Sequence, residues 1–288
     1  EIKVFPSGQL SKGLEVRSAV AKGVAEAGHT WMGYDWGKDK TTVLFGGYAG
    51  SMDSERMLHW IYEGGGLEMW QQFNEEKFGV VSFPCFTRTA EAFLHSRKAI
   101  RSLDDLNGLK FRTAGAWLAI SKGLGAAPVT MPGGEVFATL ERGAIDATEW
   151  GTLYENKSTG FHKIAKYVII PGIHQPTAPF EVVFNKKAWG KLSKRDQELV
   201  ALAAKLVTFE TWTLIGHEDA KALEFYKKAG NEIIVLDAAV QKKGKRLAIA
   251  WAKEQAKTNS WFDKVLKHQL QFEKLWSQAR HYRNVISE

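Results

Sequence analysis

Arg112, Glu149, Trp150 and Gln175 are the residues of this chain whose types and positions suit the capture of an anion. A guanidinium presents a rigid fork of donors that matches both oxygens of a carboxylate. Arg112 follows Phe111 at the end of an expected strand, so the sheet rather than solvent would hold it. Taken alone, an arginine is more often a solvated surface charge. Glu149 and Trp150 fall at another strand end, where a carboxylate and an outward-turned main-chain carbonyl stand side by side. Hard cations prefer such oxygen ligands. Gln175, after Pro171-Gly172-Ile173-His174, adds an amide oxygen, whereas His174 itself reads as structural. A plain ion pair between Arg112 and Glu149 is the competing use of both side chains, and both uses are compatible in a ligand-free protein.

Alternating elements place these residues. Gly108 to Arg112 reads as a strand, and Ala116 to Gly123 as a helix stopped by Gly123 and Gly125. Pro128 to Met131 is a second strand. Pro132-Gly133-Gly134 introduces a helix over Glu135 to Glu141, and Ala144 to Thr148 forms a third strand. Strands alternating with helices imply a largely parallel sheet. Ligands of such sheets sit beyond the carboxyl ends of the strands, where Arg112 and Glu149-Trp150 lie.

The run Asp105-Leu106-Asn107-Gly108-Leu109-Lys110-Phe111-Arg112, followed by Leu124 to Val129, Gly134 to Asp146 and Phe184 to Trp189, resembles the solute-binding proteins of tripartite ATP-independent periplasmic (TRAP) transporters. Asp146-Ala147-Thr148-Glu149-Trp150 and Pro171-Gly172-Ile173-His174-Gln175 are similar to the subgroup that binds 2-oxo and 2-hydroxy acids. The resemblance is dense over roughly residues 90 to 205 and looser outside. It implies an α/β, two-lobed periplasmic binding protein of type II-like architecture, with a ligand cleft between lobes, a long bridging helix and C-terminal helices. It further implies a periplasmic, non-enzymatic protein that captures a small organic acid and passes it to TRAP membrane permease subunits. No cofactor is required for chemistry.

On this resemblance Arg112 becomes the carboxylate clamp. Glu149, the Trp150 carbonyl and Gln175 hold a Na⁺ or Ca²⁺ ion that bridges to the ligand's carboxylate and 2-oxygen. Glu91 stands where the subgroup usually carries glutamine, and the added charge favours a divalent ion. Asn185 matches the family's strand asparagine, as a hinge anchor or a ligand contact. The loop Tyr48-Ala49-Gly50-Ser51-Met52 departs from the usual proline-phenylalanine-glycine pattern. Trp36, Phe86 and Trp150 are expected in the cleft wall, since pockets combine apolar linings with few polar anchors.

Local echoes support two lobes. Lys22-Gly23-Val24-Ala25-Glu26-Ala27 resembles Arg142-Gly143-Ala144-Ile145-Asp146-Ala147, and both lead toward a tryptophan, Trp31 or Trp150. Residues 1–89 are expected in lobe one, with the family's first strand and helix not present before Glu1, and 90–177 in lobe two. Residues 178–192 return to lobe one, 193–229 form the bridging helix, and 230–288 supply a lobe-two strand and the C-terminal helices. The crossings fall at Arg88 to Glu91 and near Thr177 to Phe180. Ser193 is the expected N-cap of the bridging helix, whose apolar positions Leu199, Leu202, Leu206 and Phe209 recur at helical spacing. Trp261, Val265, His268, Phe272, Leu275, Ala279 and Tyr282 form an apolar seam that packs on the protein's own surface. A homodimer through this helix, as in some relatives, is the second use of the seam.

Composition narrows the remaining classes. With 288 residues, 44% hydrophobic and 25% charged, the chain has ample core for two medium domains. It contains no run of about 20 apolar residues and no signal peptide, opening on Glu1-Ile2-Lys3-Val4-Phe5, which reads as a strand. Cys85 is the single cysteine, so no internal disulfide forms. The net charge of +7 peaks at Gln241-Lys242-Lys243-Gly244-Lys245-Arg246, without a groove-reading motif that would suit nucleic acid. Histidine metal pairs, nucleophile elbows and phosphate loops are missing. The alternative class is a secreted carbohydrate-active enzyme, or a sugar-binding module, built on Glu149 and tryptophan platforms. An arginine beside a cation site at the cleft base opposes it.

Overall fold

The computed structural model of the chain describes residues 2–131, 133–279 and 282. Two sheets organise them. The first has the order β1 (Ala27–Trp31), β8 (Ala178–Asn185), β2 (Val80–Arg88), with β8 antiparallel to both neighbours. The second runs β5 (Ala127–Val129), β4 (Lys110–Arg112), β6 (Ala147–Thr148), β3 (Leu94–Ser96), β7 (Tyr167–Ile170), β9 (Glu232–Val235). Its pairs β4–β5, β4–β6 and β7–β9 are parallel, as alternation with helices predicts. β3 runs against β6 and β7, so the sheet is mixed. That strand arrives directly from the first sheet rather than through a crossover helix.

Register sets the site. Arg112 of β4 lies beside Thr148 of β6, and the Glu149 amide donates to the Arg112 carbonyl at 3.3 Å. The two strand ends are therefore neighbours, and the residues following them share one edge. The chain crosses between sheets after Arg88 and again between Ile170 and Ala178.

Ser193 caps the long helix Lys194–Lys228 by accepting from the Asp196 amide. The middle of this helix rests on the first sheet's side, where Trp212 Nε1 donates to Ser54 Oγ at 2.9 Å. Its second half reaches the other side, where Tyr226 Oη donates to the Leu153 carbonyl at 3.0 Å. It braces both lobes. The spacing of Leu199, Leu202 and Leu206 identified a helix but not its buried face. Ala204, Thr208, Ile215, Ala222 and Tyr226 are buried, while Leu202 remains 62% exposed. Small residues let the helix lie close against strands, and the larger leucines face outward. By length and composition this helix is apolar enough to cross a membrane, a property that the count of uninterrupted apolar residues missed because Lys205 and Glu210 break the run.

Ile2 to Phe5 forms no strand and lies exposed, since no neighbouring strand offers hydrogen bonds to it. The helix Ala238–Ala256 packs on the second lobe, with Gly244 close to Trp117 and Ile173. The helix Ser260–Gln278 packs on the first. There Trp60 Nε1 donates to His268 Nδ1 at 2.9 Å, which explains the histidine in the apolar seam, and Gln269 donates to the Leu44 carbonyl at 2.8 Å. Trp261 and Val265 are buried, whereas Leu275 and Tyr282 at the outer end are exposed.

Candidate ligand-binding site

Trp31, Gly47 and Tyr48 of the first lobe and Arg112, Trp117 and Glu149 of the second line one cavity of about 50 Å³ between the lobes. Arg112 enters it from β4 with its guanidinium 5.3 Å from the Trp150 ring centroid. Its Nη1 lies 3.2 Å from Glu149 Oε1, and that oxygen also accepts from the Ala114 amide at 3.0 Å. Arg112 Nε is buried with no hydrogen-bond partner, as are Trp117 Nε1 and His174 Nδ1 in the same wall.

The crossings bring in the rest. Arg88, the last residue of β2, pairs with Glu91 at 2.9 Å and with Glu155 at 2.6 Å, and lies over the Phe180 ring. Burial opposes its charge, but the two carboxylates outweigh that and hold its pKa above the ordinary value. His174 Nε2 is 3.1 Å from Glu91 and 3.8 Å from Glu149. Glu91, Glu149 and His174 are all buried, and one ligand atom from each lies within 4.8 Å of the others. Burial raises the pKa of Glu149, with Arg112 and His174 pulling against it. A cation among these oxygens would relieve the same penalty.

Gln175 Nε2 donates to the carbonyls of Gly46 and Thr177, at 2.9 and 2.7 Å, which orients the amide across the lobe junction. Gly47 beside it has φ 91°, and a side chain there would collide with Thr177 and Gln175.

Of the residues singled out in the sequence, Arg112, Glu91, Glu149, Trp150 and Gln175 line this cavity. Trp36, Phe86 and Asn185 do not. Trp36 packs against the main hydrophobic core. Phe86 turns to Phe180 and His29. Asn185 caps the helix Lys186–Trp189 and donates to the Val20 and Ala21 carbonyls, so it locks the end of β8. The wall also includes Trp31, Tyr34, Tyr48, Trp117, Phe180, Arg88 and His174. Arg88 carried the signal that flagged Arg112, an arginine closing a strand, and the crossing beside it was foreseen. His174, read as structural, touches both carboxylates. Trp117 had no marker beyond being aromatic, whereas Phe180 lies in the second expected crossing.

The sequence signature of bacterial extracellular solute-binding protein, family 7, matches residues 1–258. The monocarboxylate 2-oxoacid-binding periplasmic protein of Nostoc sp. is 30% identical over 278 residues, covering 95% of this chain and 75% of the relative. A TRAP transporter solute-binding protein from Bordetella bronchiseptica superposes with a TM-score of 0.91 at 26% identity, covering 97% of this chain and 83% of that one. That structure is a mixed-occupancy dimer with copurified calcium and picolinate in one active site. A TRAP periplasmic solute-binding protein from Pseudoalteromonas atlantica, with bound sodium and pyruvate, gives a TM-score of 0.85 at 27% identity, covering 93% and 82%. The chain therefore belongs to family 7 of the bacterial extracellular solute-binding proteins, the solute-binding components of TRAP transporters.

Proposed function

We propose that this protein captures a small 2-oxo or 2-hydroxy carboxylate in the periplasm, together with a Na⁺ or Ca²⁺ ion, and delivers it to a TRAP membrane permease. One observation carries the reading: Arg112 reaches the cavity with a buried Nε that has no partner, beside two buried carboxylates. An unpaired buried donor is costly, and a ligand carboxylate supplies the missing acceptor. Trp117 Nε1 adds a second free donor in the same wall. The aromatic side chains Trp31, Trp150 and Phe180 exclude water around a short ligand.

The donor set suits a hard cation. Glu91 and Glu149 offer carboxylate oxygens, and the Trp150 carbonyl and the Gln175 amide oxygen are the further candidates. When His174 Nε2 carries its proton it donates to Glu91 Oε2 and steadies that carboxylate. The ion's contribution is charge: it offsets the repulsion between these carboxylates and an anionic ligand. Binding then consists of seating the carboxylate on Arg112 and closing the lobes over it. The reading extends to a homodimer through the last helix, supported by the exposed Leu275 and Tyr282 at the outer end of its seam.

Calorimetry with pyruvate in calcium- or sodium-containing buffer tests the reading. Saturable binding, weakened when both ions are removed, is the expected result. Failure of pyruvate, lactate and longer 2-oxo acids to bind under any of these conditions overturns it.

A further inference from the structure

A second cavity of about 350 Å³, the rear cavity, borders the same crossing segments as the first. The crossing segments divide their side chains between the two. Arg88, Glu91, His174 and Gln175 face the ligand cavity, whereas Ala90, Ile173 and Pro176 line the rear one. Its other walls come from both lobes: Met52 and Arg56 from the first lobe, Glu273 from the helix packed on it, and Lys242 and Lys245 from the helix packed on the second. The volume falls in the range of small-molecule pockets, which are mostly apolar with few polar anchors. Here Met52, Ile173 and Pro176 supply the apolar part.

Charge selects the occupant. Lys242 and Lys245 stand one helical turn apart, and neither has an ion-pair partner among the described residues. Arg56 is already paired with Asp53 at 2.9 Å. Glu273 is the one unpaired carboxylate among the lining residues, so two lysines against one glutamate leave a surplus of a single positive charge. The basic run from Gln241 to Arg246 thus finds its use on a cavity wall rather than on nucleic acid.

Both cavities are lined by the same crossing segments and by residues of both lobes. The shape of each cavity therefore depends on how the lobes sit about those segments. We propose that the rear cavity is a second binding site for a small monocarboxylate with an apolar body, whose occupancy favours lobe closure and so tightens the front ligand. A ligand that prefers one of two states shifts the equilibrium toward it, and the coupling is reciprocal. The rear site stands on its own cavity and charges; only the coupling rests on the proposed acid-binding role of the front site.

Hexanoate is the probe. Titrated alone into the full chain by calorimetry, it is expected to bind, to bind equally to the Arg112→Ala variant, and to lose binding in the Lys242→Glu/Lys245→Glu variant, whose substitutions lie on the surface. With calcium present, saturating hexanoate is expected to tighten pyruvate binding about fivefold in the unmodified protein and not in the double variant. Hexanoate binding that survives the lysine substitutions, or that disappears with Arg112, overturns the rear site. Unchanged or weakened pyruvate binding with the rear site filled overturns the coupling. If pyruvate does not bind at all, the acid reading of the front site fails, while the hexanoate titrations still decide the rear one.

Discussion

Arg112 grips Glu149 through one nitrogen only, Nη1 to Oε1 at 3.2 Å, and leaves its buried Nε without a partner. A saturated structural pair would use both arms of the fork. This one is half made. Replacing Arg112 with Ala should therefore weaken carboxylate binding by about 2–5 kcal/mol, as truncation of a buried charge partner does. The protein should remain folded, which circular dichroism would check beside calorimetry. Near-normal affinity in a folded variant would remove the clamp.

Ion and acid should bind with mutual dependence. Glu91 and Glu149 place two carboxylates close to the site of an incoming anion, so each ligand should tighten the other by the same factor, worth about 1–3 kcal/mol. Titration of pyruvate after chelation and sodium removal measures that factor. Glu91→Gln should shift ion preference from calcium toward sodium, because a divalent ion gains more from the second charge. Unchanged preference would place the ion away from Glu91.

His95 makes stability depend on pH. Burial, aided by His162, pushes its pKa from the ordinary 6.5 down to about 3. Asn156 Nδ2 donates to its Nε2 at 3.0 Å, which requires that nitrogen to be unprotonated. Below pH 6.5 the unfolded chain takes up a proton that the native state refuses. The contribution is thus complete above about 6.5 and is lost progressively as pH falls toward 3. From pH 7 to pH 5 the loss should be about 2 kcal/mol. Urea unfolding at the two pH values, compared with His95→Gln, measures it; equal pH sensitivity in the variant would assign the loss to other groups.

Arg17 should matter to stability rather than to affinity. It is buried against Asp35, Asn74 and Glu181, and Trp70 Nε1 donates to Glu181 at 3.0 Å. Burial raises the pKa of Glu181, and Arg17 is the main influence opposing that. Arg17→Met leaves the buried Glu181 without a cationic partner and Asp35 with Lys38 alone, and should cost about 3–5 kcal/mol. Adding Asp35→Asn and Glu181→Gln should recover part of it, which thermal unfolding of the two variants compares. No recovery would mean that packing, not charge, sets the cost.

By itself the sequence determined the local pieces. Glycine stops and the strand-helix alternation indicated the elements around Arg112 and Glu149, because caps and turns act within a few residues, though the strand expected from Ala144 is only Ala147–Thr148 and the helix expected over Ala116 to Gly123 is Trp117–Ile120 followed by a 3-10 turn. The length of the bridging helix was legible for the same reason. What only the tertiary structure decided is which residues meet. Asn185 and Trp36 had suitable chemistry, but side-chain direction and packing turned them into a cap and a core contact. Arg88 and His174 reached the cavity because two crossing segments converge there, and Glu91 meets His174 across 83 positions of chain. The face of the long helix followed the same logic: closeness to β2 selected Ala204 and Thr208 for burial over larger leucines. Contacts of that kind arise from register and lobe closure, which no local pattern encodes.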